Sequence, residues 1–317
     1  MSKKTAVAAL LLLVACGETK APPIHGDYAA AKITDRVYVI HGPLGMPSQE
    51  NQGFANNPAF VLTSAGVVVI DPGSSVQVGE MVLDKIAAVT GAPVIAVFNT
   101  HIHGDHWLGN QAIKHAFPKA VIYAHPKMIE QARAGAGAGW VNILDTMTAG
   151  ATRGTVARPP DLGVGAGAGE ALKLHNLRFR IYHNDRAHTD TDIMIEVVEE
   201  GVLFLGDNGL NRVLRRMDDG NLKGQLAALD AALASKARHF VPGHGQSGGR
   251  AIVVGYRNFL TALRAAVKKY HDRGLGDYEM KDQVIRELAA YKDWKNFNDV
   301  IGRTIGVVYL QIESEAF

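Results

Sequence analysis

A dense group of metal-binding side chains is the feature that most constrains the fold. His101, His103, Asp105 and His106 fall within six residues, directly after the β-branched run Val94–Phe98, which the pattern predicts as a buried strand. In an extended segment His101 and His103 point to the same side and can reach one metal. Asp105 and His106 lie where the chain bends into a helix and can face a second metal. These are zinc-type ligands at the end of a strand.

Chance clustering of histidines on a polar loop is the alternative. It is disfavoured because such side chains, grouped without a metal, would be costly like-charged or desolvated neighbours. Cys16 is the only cysteine, so neither a disulfide nor a thiolate metal ligand is expected in the mature chain.

Alternating apolar patterns predict two β-rich halves, each followed by helices. This order favours a sandwich of two sheets with helices outside. An irregular, polar stretch over residues 43–58 predicts a loop that covers the site, and helices after residue 250 are expected to wall it. The predicted strands span 37–40, 59–63, 67–70, 94–98, 120–123, 172–174, 177–182, 193–198, 202–205 and 239–241.

Composition is that of an ordinary globular protein. The chain has 317 residues, 47% hydrophobic and 20% charged, with a formal net charge of +2. No run of like charges suggests a nucleic-acid surface or a disordered tail, so a small-molecule substrate is favoured and nucleic acid is not.

The N-terminus has the pattern of an export signal. Lys3 and Lys4 precede a short apolar stretch, and Leu13-Val14-Ala15-Cys16 resembles a bacterial lipobox, which implies lipidation of Cys16. A plain signal peptide and an ordinary buried strand are the alternatives. The predicted organisation is a signal over 1–16, a tether over 17–31, a main domain over 32–248 and a helical extension over 249–317. We expect a periplasmic protein held at the outer membrane by its lipid alone.

The ordered motifs resemble the metallo-β-lactamase superfamily. His101-x-His103-x-Asp105-His106 resembles its signature, and Asp71 ends the preceding strand pair as the family's supporting aspartate does. His188, Asp207 and His244 follow in the family's order. The resemblance implies an α/β (α+β) fold, a four-layer αββα sandwich with a C-terminal helical extension.

The same resemblance implies a site for two zinc ions. It gives the first zinc to His101, His103 and His188, the second to Asp105, His106 and His244, and places Asp207 between them. A shared hydroxide would attack a carbonyl-type bond, and Asp105 would orient it as the catalytic carboxylate.

Supporting roles are less well determined by the sequence. Asp71 fits both a turn aspartate before Pro72-Gly73 and a residue that holds a ligand. His183 is a candidate to support the ligand His188. Arg212, Arg215 and Arg216 follow Asp207; a solvated helix face is favoured for them over contact with an anionic substrate.

The substrate stays open between lactam, thioester and lactone. Asp207 stands where one lactamase subclass carries cysteine, which argues against that subclass. The chain looks most similar to exported zinc metallohydrolases associated with quinoprotein alcohol oxidation or sulfur oxidation. An iron oxidoreductase relative is disfavoured because His103 occupies the position of a glutamate in that branch. A non-catalytic periplasmic binding lipoprotein is the other alternative, and the sequence leaves the oligomeric state undetermined.

Overall fold

A computed structural model describes residues 20–165 and 169–315. The predicted signal segment and Cys16 lie outside the described residues. Within these two ranges, no helix combines the length and apolar composition needed to cross a membrane.

The first half of the chain forms a seven-stranded sheet. Its strands lie in sequence order, antiparallel from β1 to β4 and parallel from β4 to β7. They are β1 (Ala30–Lys32), β2 (Val37–Ile40), β3 (Ala59–Leu62), β4 (Val67–Ile70), β5 (Val94–Phe98), β6 (Val121–Ala124) and β7 (Leu162–Gly163).

The second half forms a five-stranded sheet in the order β12-β11-β10-β9-β8. All neighbours are antiparallel except β11 and β12, which run parallel. The strands are β8 (Ala171–Leu174), β9 (Leu177–His183), β10 (Ile193–Val197), β11 (Val202–Gly206) and β12 (His239–Pro242).

Helices cover the outer faces of both sheets. The first begins where Ser75 accepts a hydrogen bond from Val78 N, an N-cap. A kink at Gly135, where φ is 120°, separates two consecutive helices within Ala132–Ala136. The helices are α1 (Val76–Val89), α2 (Gly104–Trp107), α3 (Asn110–Ala116), α4 (Pro126–Gln131), α5 (Gly137–Met147), α6 (Leu222–Ala234), α7 (Arg250–His271), α8 (Asp277–Glu287) and α9 (Phe297–Ser314).

Three apolar layers hold the elements together. Val68, Phe98, Phe179 and Ile195 belong to the core between the two sheets. A second cluster packs α1 and α3 on the outer face of the first sheet. A third packs α6, α7, α8 and α9 on the second sheet. The order helix, sheet, sheet, helix confirms the predicted αββα sandwich.

Residues 20–31 belong to the predicted tether and lie against the first sheet. Ala30 and Ala31 pair with β2, and the Tyr28 ring packs edge-on against Phe54 with centroids 4.8 Å apart. The Gln52 side chain donates to Pro23 O at 3.0 Å. Apolar contacts at Tyr28 and backbone pairing therefore fix this segment to the first sheet, although its composition resembles that of a linker.

Candidate metal centre

Seven predicted side chains meet at one edge of the sandwich. Parallel strands β4 and β5 in one sheet and β11 and β12 in the other bring their carboxyl ends to this edge, where the loops that follow carry most of the site. His188 differs because it comes from the turn between β9 and β10. The structure brings together His101, His103, Asp105, His106, His188, Asp207 and His244.

The first group consists of nitrogen donors alone. His101, His103 and His188 place one ring nitrogen each within 4.8 Å of one another. His103 Nδ1 lies 3.0 Å from His188 Nε2. The other nitrogen of His103, Nε2, lies 3.0 Å from Asp219 Oδ2 and donates to it, which leaves Nδ1 free to bind.

The second group mixes nitrogen and oxygen donors. His106 Nε2 lies 3.4 Å from His244 Nε2, which in turn lies 3.4 Å from Asp105 Oδ2. His244 Nδ1 lies 2.9 Å from Ala55 O and 2.7 Å from Arg215 Nη2, while Nε2 faces the group.

Asp207 connects the two groups. Its Oδ1 lies 3.3 Å from His106 Nε2, while its Oδ2 lies 3.3 Å from His244 Nε2 and 3.6 Å from His188 Nε2. Together with His101 and His106 it forms a third set of donor atoms within 4.8 Å. One carboxylate thus faces both groups.

Charge at the centre is divided between neutral and charged side chains. Burial, with the neighbouring His106 and His103, lowers the pKa of His101 well below its usual value. Burial also lowers the pKa of His188 to about 3. Burial opposes ionisation of Asp207, but His244 and His106 outweigh it and hold the pKa of Asp207 well below its usual value. Burial lowers the pKa of His106, but Asp207, Asp105 and Asp71 outweigh it and raise that pKa well above its usual value, so His106 must lose a proton to bind a metal.

Asp71 sets the orientation of ligands in both groups. Its Oδ2 accepts from His106 Nδ1 at 2.8 Å and from Thr100 Oγ1 at 2.6 Å. Thr100 Oγ1 in turn accepts from His101 Nδ1 at 2.9 Å. Both histidines therefore donate from Nδ1 on the side away from the centre and turn Nε2 toward it. Asp71 also has φ 48°, so the turn and the supporting role coexist in one residue.

The donor set fits a pair of metal ions. His101 Nε2 is fully buried and has no hydrogen-bond partner among the described residues. Leaving such an acceptor unpaired is costly. Imidazole nitrogens with carboxylate oxygens match the preferences of zinc, and the open side of the centre leaves room for a substrate.

A cavity of about 420 Å³ opens onto the centre. Met46 and Pro47 from the 43–58 loop line one side, and Arg303 of α9 lines another, as the sequence predicted for the loop and the C-terminal helices. Helix α5 contributes further wall through Trp140, whose ring lies 5.1 Å from that of His103.

Of the three arginines after Asp207, Arg215 differs from the favoured interpretation of a solvated helix face. No helix forms over residues 211–217, and Arg215 is buried rather than solvated. Its Nη1 lies 3.1 Å from Met46 Sδ and its Nη2 lies 2.7 Å from the His244 ring. Burial results because loop 43–58 folds over this segment, a long-range contact that helical periodicity cannot indicate. Arg216 remains exposed and pairs with Asp218.

His183 also differs from the expected contact with a ligand. Its Nδ1 lies 2.8 Å from Asp192 O, and its ring stacks on His125 at 4.1 Å. The Asp192 carboxylate accepts from Thr189 N at 2.7 Å, beside His188. His183 therefore reaches the centre only through the backbone of the His188 turn.

Sequence reasoning missed Asp219, Trp140 and Arg303. Asp219 lies twelve residues beyond Asp207 in an irregular segment, and Arg303 lies on a helix far from every motif. Neither Asp219 nor Arg303 carries a local signal, since only the packing of α9 and of the irregular segment after β11 brings them to the cavity.

Comparisons with known proteins agree with this geometry. The model of the "Metallo-beta-lactamase superfamily" matches residues 52–244. A hydroxyacylglutathione hydrolase of Synechococcus sp. (strain JA-3-3Ab) is 29% identical over 167 residues, covering 53% of this chain and 53% of that relative. The chain thus aligns with about half the length of this relative.

Two solved structures share the fold at low identity. A metallo-beta-lactamase from Pontibacter korlensis has a TM-score of 0.59 at 18% identity, covering 74% of this chain and 99% of the other. A sec-alkylsulfatase from Pseudomonas sp. has a TM-score of 0.69 at 15% identity, covering 90% of this chain and 50% of the other. With the family model matching more than half of its residues, the chain belongs to the metallo-beta-lactamase superfamily.

Proposed function

We propose that this protein is a zinc-dependent hydrolase of carbonyl-type bonds, with thioesters as the first class to test and lactones and lactams after them. The observation that carries the proposal is the convergence of seven donor side chains at one cavity. The match to a relative named hydroxyacylglutathione hydrolase supports a thioester over the other two bonds.

The proposed ligand sets follow the three groups of donor atoms. His101, His103 and His188 would hold one zinc, Asp105, His106 and His244 would hold the other, and Asp207 lies close to both groups. Zinc bound there would supply Lewis-acid chemistry and an activated water at neutral pH.

Protein groups would then align the reacting atoms. Asp105 is ionised because His106 and His244 outweigh the effect of burial and lower the pKa of its carboxyl. Its oxygen can accept a hydrogen bond from the attacking water and orient that water toward the carbonyl carbon. The Asp71 and Asp219 carboxylates hold His106 and His103 in place during this step.

Export is part of the proposal. The basic start, the apolar stretch and Cys16 support a lipid-anchored protein of the periplasm, on the outer membrane. A small-molecule substrate that reaches that compartment is the expected partner.

The test combines metal content with turnover. The form beginning at residue 17 is purified, its zinc is counted by elemental analysis, and it is assayed with a thioester, a lactone and a chromogenic cephalosporin. We expect near two zinc ions per chain and thioester turnover that His101→Ala abolishes. His115→Ala, at an exposed histidine of α3, is the matched control and should retain both.

Zinc near zero, or iron in its place, would contradict the metal assignment. Two zinc ions with turnover of the lactam or the lactone alone would retain the hydrolase and reject the thioester class.

A further inference from the structure

Two arginines stand together at the mouth of the metal-centre cavity. Arg216 follows β11 in the chain, and Arg303 lies on α9. Arg216 donates from Nε to Asp218 Oδ2 at 2.7 Å, and Arg303 donates from Nε to the other oxygen, Oδ1. One carboxylate thus fixes two guanidinium groups, and the trio keeps a net charge of +1.

Both arginines have N–H donors that remain available to a ligand. Each contacts Asp218 through Nε, so the Nη groups of Arg216 and Arg303 have no hydrogen-bond partner among the described residues. Their side chains are 54% and 59% exposed. Guanidinium groups held in this way are suited to oxyanions, which they bind through paired N–H donors.

The neighbouring wall of the cavity is apolar. Ile143 and Met147 lie four residues apart on α5, on one helix face, and both line the cavity. They are 46% and 41% exposed, and Met46 lines the cavity from the 43–58 loop. The cavity therefore offers an apolar surface beside a cationic mouth.

The proposed zinc ions, together with Arg215, would offset the acidic groups nearby. Asp105 and Asp207 belong to the proposed zinc ligands, and Asp219 accepts from His103. The buried Arg215 adds a further positive charge behind the mouth. An anion is the ligand that such a field favours.

We propose that Arg216 and Arg303 form an anion clamp, and that the substrate is an anionic amphiphile whose apolar part lies along Ile143 and Met147. This deepens the proposed hydrolase, on which it rests, by naming the class of substrate. Arg303 lies on α9, outside residues 52–244, the part matched by the family model.

Binding of a compound that cannot be hydrolysed tests the clamp separately from turnover. Calorimetry with zinc-loaded protein measures the Kd of octanesulfonate, ethanesulfonate and octyltrimethylammonium. We expect octanesulfonate to bind at least tenfold more tightly than either of the others. Arg303→Gln should weaken it about fivefold and the Arg216→Gln/Arg303→Gln pair about 20-fold, with the effect shrinking at high salt because both side chains are exposed.

Arg257→Gln is the matched control. Arg257 also donates through Nε to an aspartate, Asp230, at 2.6 Å, but it lies on α7 and does not line the cavity. Its Kd for octanesulfonate should equal that of the wild type. Ile143→Asn, a neutral polar change at a half-exposed position, should weaken octanesulfonate binding and leave ethanesulfonate binding unchanged.

The outcomes separate the two proposals. Equal affinity of the double arginine variant and the wild type, or equal affinity for the two-carbon and eight-carbon sulfonates, would overturn the clamp. Clamp-dependent binding without hydrolysis of any thioester, lactone or lactam would leave the clamp standing and refute the hydrolase.

Discussion

Replacement of Asp71 by asparagine should weaken zinc binding while the fold survives. The change keeps the size of the side chain, and asparagine tolerates the left-handed φ of 48° at this position. It removes the negative charge from a carboxylate that accepts from Thr100 N at 2.8 Å, from Thr100 Oγ1 at 2.6 Å and from His106 Nδ1 at 2.8 Å.

The magnitude follows from these contacts. In either orientation of the amide, its NH₂ group faces an N–H or hydroxyl group that donates a hydrogen bond to the carboxylate in the wild type. One buried hydrogen bond is therefore lost, which costs about 1–3 kcal/mol of folding free energy. Without the charge, His106 also becomes a weaker base and loses its fixed tautomer. Loss of such a supporting carboxylate costs about 10–100-fold in metal affinity.

Competition with a chromophoric zinc chelator measures both zinc affinities, and chemical unfolding of the metal-free protein measures stability. Asp161→Asn is the control, since Asp161 accepts from Ile122 N at 2.9 Å and from Lys114 away from the centre. It should leave zinc affinity unchanged. Zinc affinities of Asp71→Asn within twofold of the wild type would refute the role assigned to this carboxylate.

Three further predictions concern the centre and its surroundings. Gly243→Ala should abolish turnover and weaken zinc binding, because a Cβ there would lie 1.9 Å from Asp207 Oδ1. Normal zinc content and activity of this variant would contradict the prediction. Burial and His183 lower the pKa of His125 to about 4 in the folded protein. Between pH 4 and 6.5 the unfolded chain therefore carries a proton on His125 that the folded chain lacks. The stability contributed by neutral His125 is lost as the pH falls through that window. His125→Asn, which can still cap α4, should flatten this part of a denaturation series by up to about 2 kcal/mol, and an unchanged pH profile would count against it. Removal of metal by a chelator should lower the Tm, since free zinc at 1,000 times its Kd stabilises the folded state by about 4 kcal/mol; an equal Tm with and without chelator would show that the centre binds no metal.

Local patterns determined most of the architecture. The β-branched run ending at Phe98 is a short-range signal, and β5 appears where this signal predicts it. The sandwich follows because each predicted element has one apolar face to bury. The signature from His101 to His106 is equally local, so its four side chains could be assigned to one site before the fold was known.

Only the tertiary structure decided which distant residues join that site. The sequence pattern predicts that Arg215 is a solvated cation, yet loop 43–58 buries it against His244. Arg303 and Asp219 carry no motif, and they reach the cavity through the packing of α9 and the irregular segment after β11. Sequence periodicity encodes which face of an element is buried, whereas the neighbours of a polar side chain depend on how separate elements pack, and that information is absent from any local stretch of the chain.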